Sequence, residues 1–305
     1  GSNALGGASY AAEYNTAIGT NAGLVVTTGG VNVFVGSNCG DATTTGTGNA
    51  AVGQEALGAN TTASYNSALG YNALRTTTTG ANNTALGKDA LYYNTTGYEN
   101  TAVGSNAMLA NTDGYRSTAV GYGALDANTT GDNHVAIGYN ALGANTTGGD
   151  NVAVGYAALG ANTTGNNLVA MGTNALDANT TGTHNVGIGH HALGATTTGA
   201  YNTAVGINTA DAATTANHMV AIGFGALGAQ TTGQYNVGIG AGSAGGALTT
   251  GDGHVIIGYQ AGDAMTTNTQ CVAIGMTAGT AITTGSYHTV EGYNAGAAIT
   301  TPNYN

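Results

Sequence analysis

The sequence predicts an all-β protein of the parallel β-solenoid class, and three observations lead to this prediction. A 17-residue phrase recurs along the whole chain and defines 18 repeats, of which the first and the fifteenth are one residue longer. Short β-favouring segments alternate with turns rich in Gly and Thr inside each repeat. The glycines are too closely spaced for the i, i+3, i+4, i+7 stripe of an amphipathic helix. A short fixed period of this kind is typical of a solenoid, in which each repeat forms one coil and successive coils pair in parallel.

Every repeat begins at a glycine, and the stretch Gly138–Val154, GYNALGANTTGGDNVAV, represents the pattern. We number its residues as positions 1 to 17, with the consensus G-Y-N-A-L-x-A-N-T-T-G-x-x-N-T-A-V. The leading glycines are Gly1, Gly19, Gly36, Gly53, Gly70, Gly87, Gly104, Gly121, Gly138, Gly155, Gly172, Gly189, Gly206, Gly223, Gly240, Gly258, Gly275 and Gly292. The uninterrupted period predicts a single elongated solenoid domain over residues 1–305.

Two segments of each repeat favour strands. Positions 14 to 17 form a short β-favouring segment, and positions 3 to 7 form a second apolar segment. The Gly of position 1 and the Thr-Thr-Gly of positions 9 to 11 are turn-like. Each coil is therefore predicted to have two short strands and two corners, although the spacing of positions 17, 5 and 11 also permits a triangular coil.

The core is predicted to be thin and to consist mostly of Ala, Val, Leu and Ile. Where position 5 is Leu, position 8 is usually polar, as in Leu142 with Asn145. Where position 5 is Gly or Ala, position 8 often becomes large and apolar, as in Gly262 with Met265. Because interiors stay filled at near-crystalline density, the two positions are predicted to share one core pocket. Two repeats break the rule, with Gly40 beside Thr43 and Ala210 beside Ala213.

Charge excludes several classes of partner. The chain has three basic residues against 14 acidic ones and a net charge of −11. A nucleic-acid-binding protein needs a basic surface, so we expect no nucleic acid, and anionic membrane surfaces are disfavoured for the same reason. No apolar run approaches the roughly 20 residues of a membrane span, so no membrane insertion is expected. No signal peptide is recognised in the sequence, and because it begins in register without an initiator Met, we expect a processed or excerpted piece of a longer protein.

The two cysteines are predicted to be free thiols. Cys39 and Cys271 lie in repeats 3 and 16. With coils stacked at ~4.8 Å, they are expected to be roughly 60 Å apart, far beyond disulfide reach.

Asn at position 14 and Thr at positions 9 and 10 are predicted to form structural ladders, because stacked identical amides and hydroxyls can hydrogen-bond from coil to coil. The asparagines are Asn15, Asn32, Asn49, Asn66, Asn83, Asn100, Asn151, Asn185, Asn202 and Asn236, and the threonines include Thr129, Thr130, Thr146 and Thr147. A Thr array also suggests ice binding. However, ice-binding faces usually carry Thr at i and i+2, whereas adjacent threonines in a strand would point one inward and one outward.

Tyrosines mark two columns that are candidates for a binding surface. Position 2 carries Tyr71, Tyr122, Tyr139, Tyr156, Tyr259 and Tyr293, and positions 12 and 13 carry Tyr14, Tyr65, Tyr98, Tyr115, Tyr201, Tyr235, Tyr287 and Tyr304. Exposed aromatic rows suit carbohydrate stacking or lateral packing between chains, and the filling of corners is the alternative.

No constellation for catalysis, metal or cofactor stands out from the repeat. His134, His254 and His288 replace Asn at position 14, and no carboxylate or Cys recurs beside them at a ligand spacing. These histidines are therefore interpreted as substitutes in the ladder. The Gly-Gly-x-Gly-x-Asp calcium phrase, paired carboxylates, a Ser/His/Asp order and a phosphate loop are all missing. We expect no cofactor and no enzymatic activity.

The NTT triplets match the N-glycosylation pattern, which a repeat rich in Asn and Thr also generates by chance. They begin at Asn60, Asn94, Asn128, Asn145, Asn162 and Asn179.

The phrase Asn-Thr-Ala-Val-Gly followed by Tyr-Asn-Ala-Leu resembles the head repeats of trimeric autotransporter adhesins. It is still more similar to the NTAxGYxAL…NTTG arrays of phage tail fibres and bacterial surface fibres, and the resemblance covers essentially the whole chain. It implies parallel β-solenoid chains, commonly trimeric, that present a stalk or head to a surface. The adhesin-head repeat is shorter than 17 residues, and the membrane anchor, coiled-coil stalk and chaperone domain of these families are not in this sequence.

We therefore expect a non-enzymatic extracellular fibre or adhesin shaft, located on a cell surface, on a virion or in a matrix. It would associate with itself as a homotrimer or polymer and attach to cell-surface glycan or matrix. The alternative is a self-assembling structural filament or sheath, and an ice-binding solenoid is a further hypothesis. An enzyme of the glycan-cleaving kind would require a carboxylate pair in a surface groove.

Overall fold

A computed structural model describes residues 1–7, 12–242 and 244–299. The chain divides into two compact units, the N-terminal unit Gly1–Asn151 and the C-terminal unit Val152–Asn305. The prediction of one domain over residues 1–305 stays a prediction. Some residues that the repeat assigns to positions lie outside the described part, namely Ser9, Tyr10, Ser243, Thr300, Thr301, Tyr304 and Asn305.

Both units are parallel β-solenoids, which confirms the predicted fold class. The described residues contain 17 strands of three residues and no helix. Those of the N-terminal unit are β1 (Thr16–Ile18), β2 (Val33–Val35), β3 (Ala50–Val52), β4 (Ser67–Leu69), β5 (Thr84–Leu86), β6 (Thr101–Val103), β7 (Thr118–Val120) and β8 (Val135–Ile137). Those of the C-terminal unit are β9 (Val152–Val154), β10 (Val169–Met171), β11 (Val186–Ile188), β12 (Thr203–Val205), β13 (Val220–Ile222), β14 (Val237–Ile239), β15 (Val255–Ile257), β16 (Val272–Ile274) and β17 (Thr289–Glu291).

Strands pair in parallel in chain order within each unit, and the register is one repeat. Thr101 is the partner of Thr118 in the N-terminal unit, and Val169 is the partner of Val186 in the C-terminal unit. Each strand consists of positions 15 to 17, so the first predicted strand is confirmed in a shorter form. Within the described ranges, no helix is long and apolar enough to cross a membrane.

The second predicted strand, at positions 3 to 7, is wrong. In the coil Gly87–Val103 this segment is a series of turns, because Asp89 and Leu91 have positive φ angles of 56° and 51°. Leu91 N–H donates to the carbonyl of Ala107 in the next coil, whereas Ala90 N–H turns back to Gly87. Alternate amides therefore bind the neighbouring coil without forming a β-ladder.

The core is narrower than predicted, because the Val and Ile residues at positions 15 and 17 of the strands point outward. Position 16, usually Ala, is the buried residue of each strand from β2 to β17, and where position 5 is Leu it faces that residue in the same coil. Gly238 at position 16 shows this contact, because a Cβ there would lie 3.0 Å from Cδ1 of Leu227. The buried side chains are thus mainly Ala and Leu, with larger residues where position 5 is Gly.

The predicted pocket shared by positions 5 and 8 is confirmed. A Cβ on Gly262 would lie 3.0 Å from Sδ of Met265, which is fully buried. The structure adds position 16 as a third contributor, because Phe34 fills the space beside Gly23 and Gly40. This explains why the repeat with Gly40 and Thr43 breaks the rule.

Glycine is required at position 1 because two coils approach closely there. A Cβ on Gly104 would overlap the carbonyl of Gly121 in the next coil, and φ of Gly104 is +136°. Residues at position 2 are therefore held at a fixed backbone spacing.

Candidate binding surface

The six tyrosines of position 2 lie at the surface of their units. Five of them are 46% to 55% exposed, and Tyr293 is 76% exposed. Tyr122 and Tyr139, on adjacent coils, stack with ring centroids 5.5 Å apart and planes 11° apart. The position 2 column therefore presents aromatic faces and hydroxyls to solvent, each on a backbone fixed by the preceding glycine.

A second set of exposed rings occupies positions 12 and 13. Tyr98 and Tyr115, both at position 12, stack almost in parallel at 4.9 Å. The pKa of the Tyr115 hydroxyl is raised by its hydrogen bond to the carboxylate of Asp132. Equivalent positions of adjacent coils are separated by one strand spacing of ~4.8 Å, so flat rings at the same position can stack on one another.

Four rings at position 13 of the C-terminal unit form a continuous stack, which we call the ring ladder. It consists of His184, Tyr201, His218 and Tyr235, with centroids 4.8 Å, 5.1 Å and 5.1 Å apart and planes within 14°. All four residues have φ between 54° and 60°. This ladder is not visible as a column of tyrosines in the sequence, because histidine and tyrosine alternate at position 13 of these coils.

The outward faces of the strands form a surface on each unit that is apolar at position 17 and carries Val, Ala, Thr or Ser at position 15. Position 17 residues such as Leu69, Leu86 and Ile222 are 51%, 43% and 39% exposed. None of the strands β1–β16 carries a charged residue. Over β3–β5 this face contains a shallow depression of about 320 Å³ whose lining includes Val52 and Leu69. We call positions 15 and 17 of the strands the outer strand face.

The Asn residues of position 14 lie at the inner side of the coils. In the N-terminal unit, Asn83 N–H donates to Oδ1 of Asn66 over 2.8 Å, and its Nδ2 donates to the carbonyl of Gly97 over 2.8 Å. Asn202 and Asn185 make the same backbone contact in the C-terminal unit at 2.9 Å. The amides thus bond chiefly to the backbone of the next coil, and only in part to one another as expected. The position 14 asparagines are Asn15, half-buried, and the buried Asn32, Asn49, Asn66, Asn83, Asn100, Asn151, Asn185, Asn202 and Asn236.

In the pairs Thr129–Thr130 and Thr146–Thr147, the position 9 residue is the more buried and the position 10 residue is exposed, as expected, although the pairs do not lie in a strand. Positions 9 and 10 form a bend and not a strand. Thr129 and Thr146 are half-buried, and Oγ1 of Thr129 donates to the carbonyl of Thr146 over 2.9 Å. Thr130 and Thr147 are exposed. The ladder at position 9 therefore joins hydroxyl to backbone.

Position 8 carries a buried amide ladder that the sequence analysis did not assign. Nδ2 of Asn111 donates to Oδ1 of Asn94 over 2.7 Å, and Nδ2 of Asn128 donates to Oδ1 of Asn111 over 2.9 Å. Each amide also donates to the position 11 glycine of its own coil. The NTT triplets begin at this position, so the nitrogens that a glycan would modify are buried in the folded chain. The recurrence of Asn at position 8 was the available signal.

The three position 14 histidines are buried in the place of Asn. In His254, Nδ1 accepts the N–H of Cys271 at 3.2 Å and Nε2 lies 2.8 Å from the carbonyl of Asn268. This geometry reproduces both bonds of an Asn ladder residue with Nε2 as the donor. Burial lowers the pKa of His134 to about 4. Among the described residues, no group of His, Cys, Asp or Glu is arranged to hold a metal ion.

Carboxylates of neighbouring coils meet in the N-terminal unit, which the sequence analysis did not foresee. A cavity of about 260 Å³ is lined by Asp41, Glu55 and Arg75 among others. Arg75 forms an ion pair with Glu55 and donates through Nη1 to the hydroxyl of Tyr92 at 3.2 Å. Burial is the main cause of the raised pKa of Asp41, to which Glu55 adds. The residues come from positions 3 and 6 of successive coils, so no single repeat contains the cluster.

The two cysteines are free, as predicted, and both are buried. Burial raises the pKa of Cys39 to about 12, and its Sγ donates to the carbonyl of Ala51 at 3.2 Å.

Comparison of the chain with known protein families and with curated protein sequences finds no match.

Proposed function

We propose that this chain is a non-enzymatic part of an extracellular fibre or adhesin shaft, which presents repeated aromatic side chains for attachment to cell-surface glycan or matrix. The observation that carries the proposal is the column of exposed position 2 tyrosines on closely stacked coils. Tyr71, Tyr122 and Tyr139 are each about half exposed. Rings with one apolar face and one hydroxyl suit the stacking of a sugar ring combined with a hydrogen bond.

Repetition turns weak contacts into useful attachment. Each tyrosine offers little buried area, but several copies on one chain raise the effective concentration of every further contact. The small number of basic residues favours neutral partners over anionic ones, because three basic residues cannot attract an anionic surface. An attachment surface of this kind requires no reaction at any single coil.

The proposed fibre includes self-association through the outer strand face, with a second copy of this chain as the partner. Over β1–β16 the face carries Val, Ile, Leu or Met at position 17 and no charged residue, so two copies would bring no like charges of their strands together there. A second copy carries the same repeat spacing, and its side chains would therefore meet this face in register along successive coils. Exposed apolar surfaces of this extent mark interaction sites in soluble proteins.

Attachment is tested with a variant in which Tyr71, Tyr122 and Tyr139 are replaced by Ala, measured on immobilised polysaccharides. We expect bound chain to decrease with each tyrosine removed. The matched control replaces Thr62, Thr79 and Thr130, exposed residues of position 10, by Ala. Equal binding of the tyrosine variant and the control would contradict the role of the column.

Self-association is tested by light scattering of the native assembly. The variant Leu69→Lys/Leu86→Lys places two charges on the outer strand face, and we expect it to be a smaller species than the unmodified chain. Thr62→Lys/Thr79→Lys adds the same charge elsewhere and should leave the mass unchanged. A monomeric unmodified chain, or equal masses in both variants, would contradict the proposed interface.

A structural filament or sheath is the second candidate, and the recurrence of the outer strand face in both units favours it. Electron microscopy at rising protein concentration separates the two functions. Discrete particles of fixed length favour an attachment fibre, whereas open-ended polymers favour the filament.

A further inference from the structure

The ring ladder of the C-terminal unit ends at a gap. His218 covers one face of Tyr235 at 5.1 Å, and the next coil carries Gly253 at the same position, followed by Gln270 and Tyr287. The N–H of Gly253 donates to the carbonyl of Gln234, which places this glycine directly beside the Tyr235 coil. The column therefore continues past Tyr235 without a ring at the level of Gly253.

The space above Tyr235 holds no ring and is bounded by the side chain of Gln270. A Cβ on Gly253 would meet only Gln270, with Cγ at 3.3 Å and Cα at 4.0 Å. At Gly48, also a glycine of position 13, the corresponding Cβ would lie 2.9 Å from Cδ1 of Tyr65, so a ring already fills that place. Around Gly253 the structure instead contains a cavity of about 410 Å³, lined by Tyr235, Asp252, Gly253, Thr269, Gln270 and Tyr287.

We propose that this gap is a subsite for one neutral pyranose ring, stacked on Tyr235 at the level of Gly253. The gap spans two coil spacings, from Tyr235 to Gln270, or roughly 10 Å at ~4.8 Å per coil. That height takes one ring, since the rings of the ladder stack at 4.8–5.1 Å, and the polar residues of the lining favour a pyranose over an aromatic ring. Its C–H face packs on the ring of Tyr235 in the direction that the ladder already follows.

Polar groups at the edge of the gap match the hydroxyls of a sugar. Oδ1 of Asp252 accepts the N–H of Gln234 at 2.6 Å, which orients the carboxylate beside the gap. The amide of Gln270 lines the same cavity and supplies a donor and an acceptor, and the hydroxyl of Thr269, which donates to Oγ of Ser286 at 3.4 Å, supplies an acceptor. Asp252 is the charged residue of this lining, so an anionic sugar is disfavoured and a neutral one is selected.

This subsite rests on the proposed function, for which it names the ligand class and one position of contact. It differs from the position 2 column in location and in its lining residues, so the two can fail separately.

The test is saturation-transfer difference NMR on the full chain with cellotriose, maltotriose and triacetylchitotriose, each at millimolar concentration. We expect transfer to the ring protons on one face of a pyranose for at least one of these probes. The variant Gly253→Tyr closes the gap with a tyrosine. The backbone admits this residue, because φ of Gly253 is 72° and Tyr201, also at position 13, has φ of 60°. Its dissociation constant should rise about tenfold or more, which corresponds to the loss of one stacking contact.

The matched control is Asn133→Tyr, which adds a tyrosine at exposed position 13 of the N-terminal unit and leaves the gap open. This variant should bind as the unmodified chain does. Equal binding by Gly253→Tyr, or no transfer to any of the three saccharides, would overturn the subsite. Transfer to uridine without transfer to a saccharide would also overturn it, because the gap would then select a flat ring.

The outcomes separate this subsite from the proposed function. If Gly253→Tyr keeps full attachment to immobilised polysaccharide, the column remains supported and the subsite fails. If saccharides bind at the gap but removal of the position 2 tyrosines changes nothing, the subsite stands and the proposed attachment surface fails.

Discussion

The aromatic ring of Phe34 lies against Gly40, in the space that a leucine of position 5 fills in most coils. A Cβ on Gly40 would overlap Cδ1 and Cε1 of that ring. The φ of Gly40 is 57°, and leucines at position 5 adopt the same conformation, as Leu91 does at 51°. The backbone of Gly40 is therefore ready for a leucine, and only the ring of Phe34 excludes it.

A double-mutant cycle on Phe34 and Gly40 should show strong coupling. Phe34→Ala leaves a cavity and should cost about 3–5 kcal/mol, and Gly40→Leu alone should cost about 1–3 kcal/mol through overpacking. The combination Phe34→Ala/Gly40→Leu restores the usual filling of this coil, so it should be more stable than Phe34→Ala. Urea denaturation followed by circular dichroism measures the three free energies of unfolding. Additive effects would contradict the shared pocket.

The buried amide ladder of position 8 should be sensitive to a single deletion. Asn111→Ala removes the acceptor of Asn128 and the donor to Asn94, and it leaves the carbonyl of Gly114 without that amide. We expect a loss of about 2–4 kcal/mol, because buried polar groups without partners are costly. Thr130→Ala, an exposed change on the next coil, should lie within about 0.5 kcal/mol of the unmodified chain. Thermal unfolding of both variants measures the difference, and similar melting temperatures would show that the ladder contributes little.

His134 should make the protein sensitive to acid. Burial lowers its pKa from 6.5 to about 4, so below pH 6.5 the unfolded chain binds a proton that the folded chain does not. The free energy of unfolding is therefore unaffected by this residue above pH 6.5. It decreases as the pH falls towards 4, by about 3 kcal/mol in total. His134→Asn should flatten this part of the profile, whereas exposed His190→Asn should not. Denaturation midpoints between pH 4 and pH 7.5, a range set by these pKa values, provide the measurement. Parallel profiles for His134→Asn and the unmodified chain would contradict the assignment.

Cys39 should resist thiol reagents in the native state. Its pKa of about 12 and its burial keep the reactive thiolate scarce and inaccessible. In a Cys271→Asn background, which isolates Cys39, labelling by a disulfide reagent at mildly alkaline pH should be slow and should become complete in urea. Ser37 is exposed and lies shortly before Cys39 in the chain. In the same background, the variant Ser37→Cys should therefore be labelled at once. Fast labelling of native Cys39 would mean that this coil opens readily.

The repeat period was sufficient to predict the parallel coils, their register and the shared core pocket, because all three depend on spacing. It was insufficient for positions 3 to 7, where residues such as Asp89 and Leu91 adopt positive φ. Non-glycine residues rarely take that conformation, so composition favoured a strand. The outward direction of position 17 was also missed, since Val and Ile usually indicate a core, whereas here the space admits only Ala beside Leu.

The candidate surface was predictable in part for the same reason. A column of tyrosine at position 2 is visible in the repeat, but the ring ladder mixes Tyr201 and His218 and depends on stacking between coils. The gap at Gly253 is visible only against that ladder. Clusters such as Asp41 with Glu55 combine different positions of successive coils, and a one-dimensional repeat does not display them.

The hydrogen bonds that join coils connect residues about one repeat apart, with separations of 14, 17 or 18 residues for Asn66, Asn83 and His254 as donors. The entropy of closing such a loop is the same for every coil and does not grow with the length of the chain. A gene segment encoding one whole repeat can therefore be duplicated or lost while all remaining pairings keep their register. The chain length is in this sense adjustable in steps of one coil, and a one-residue change can be absorbed within a single coil, as in the fifteenth repeat, where Val237 still pairs in register with Val255.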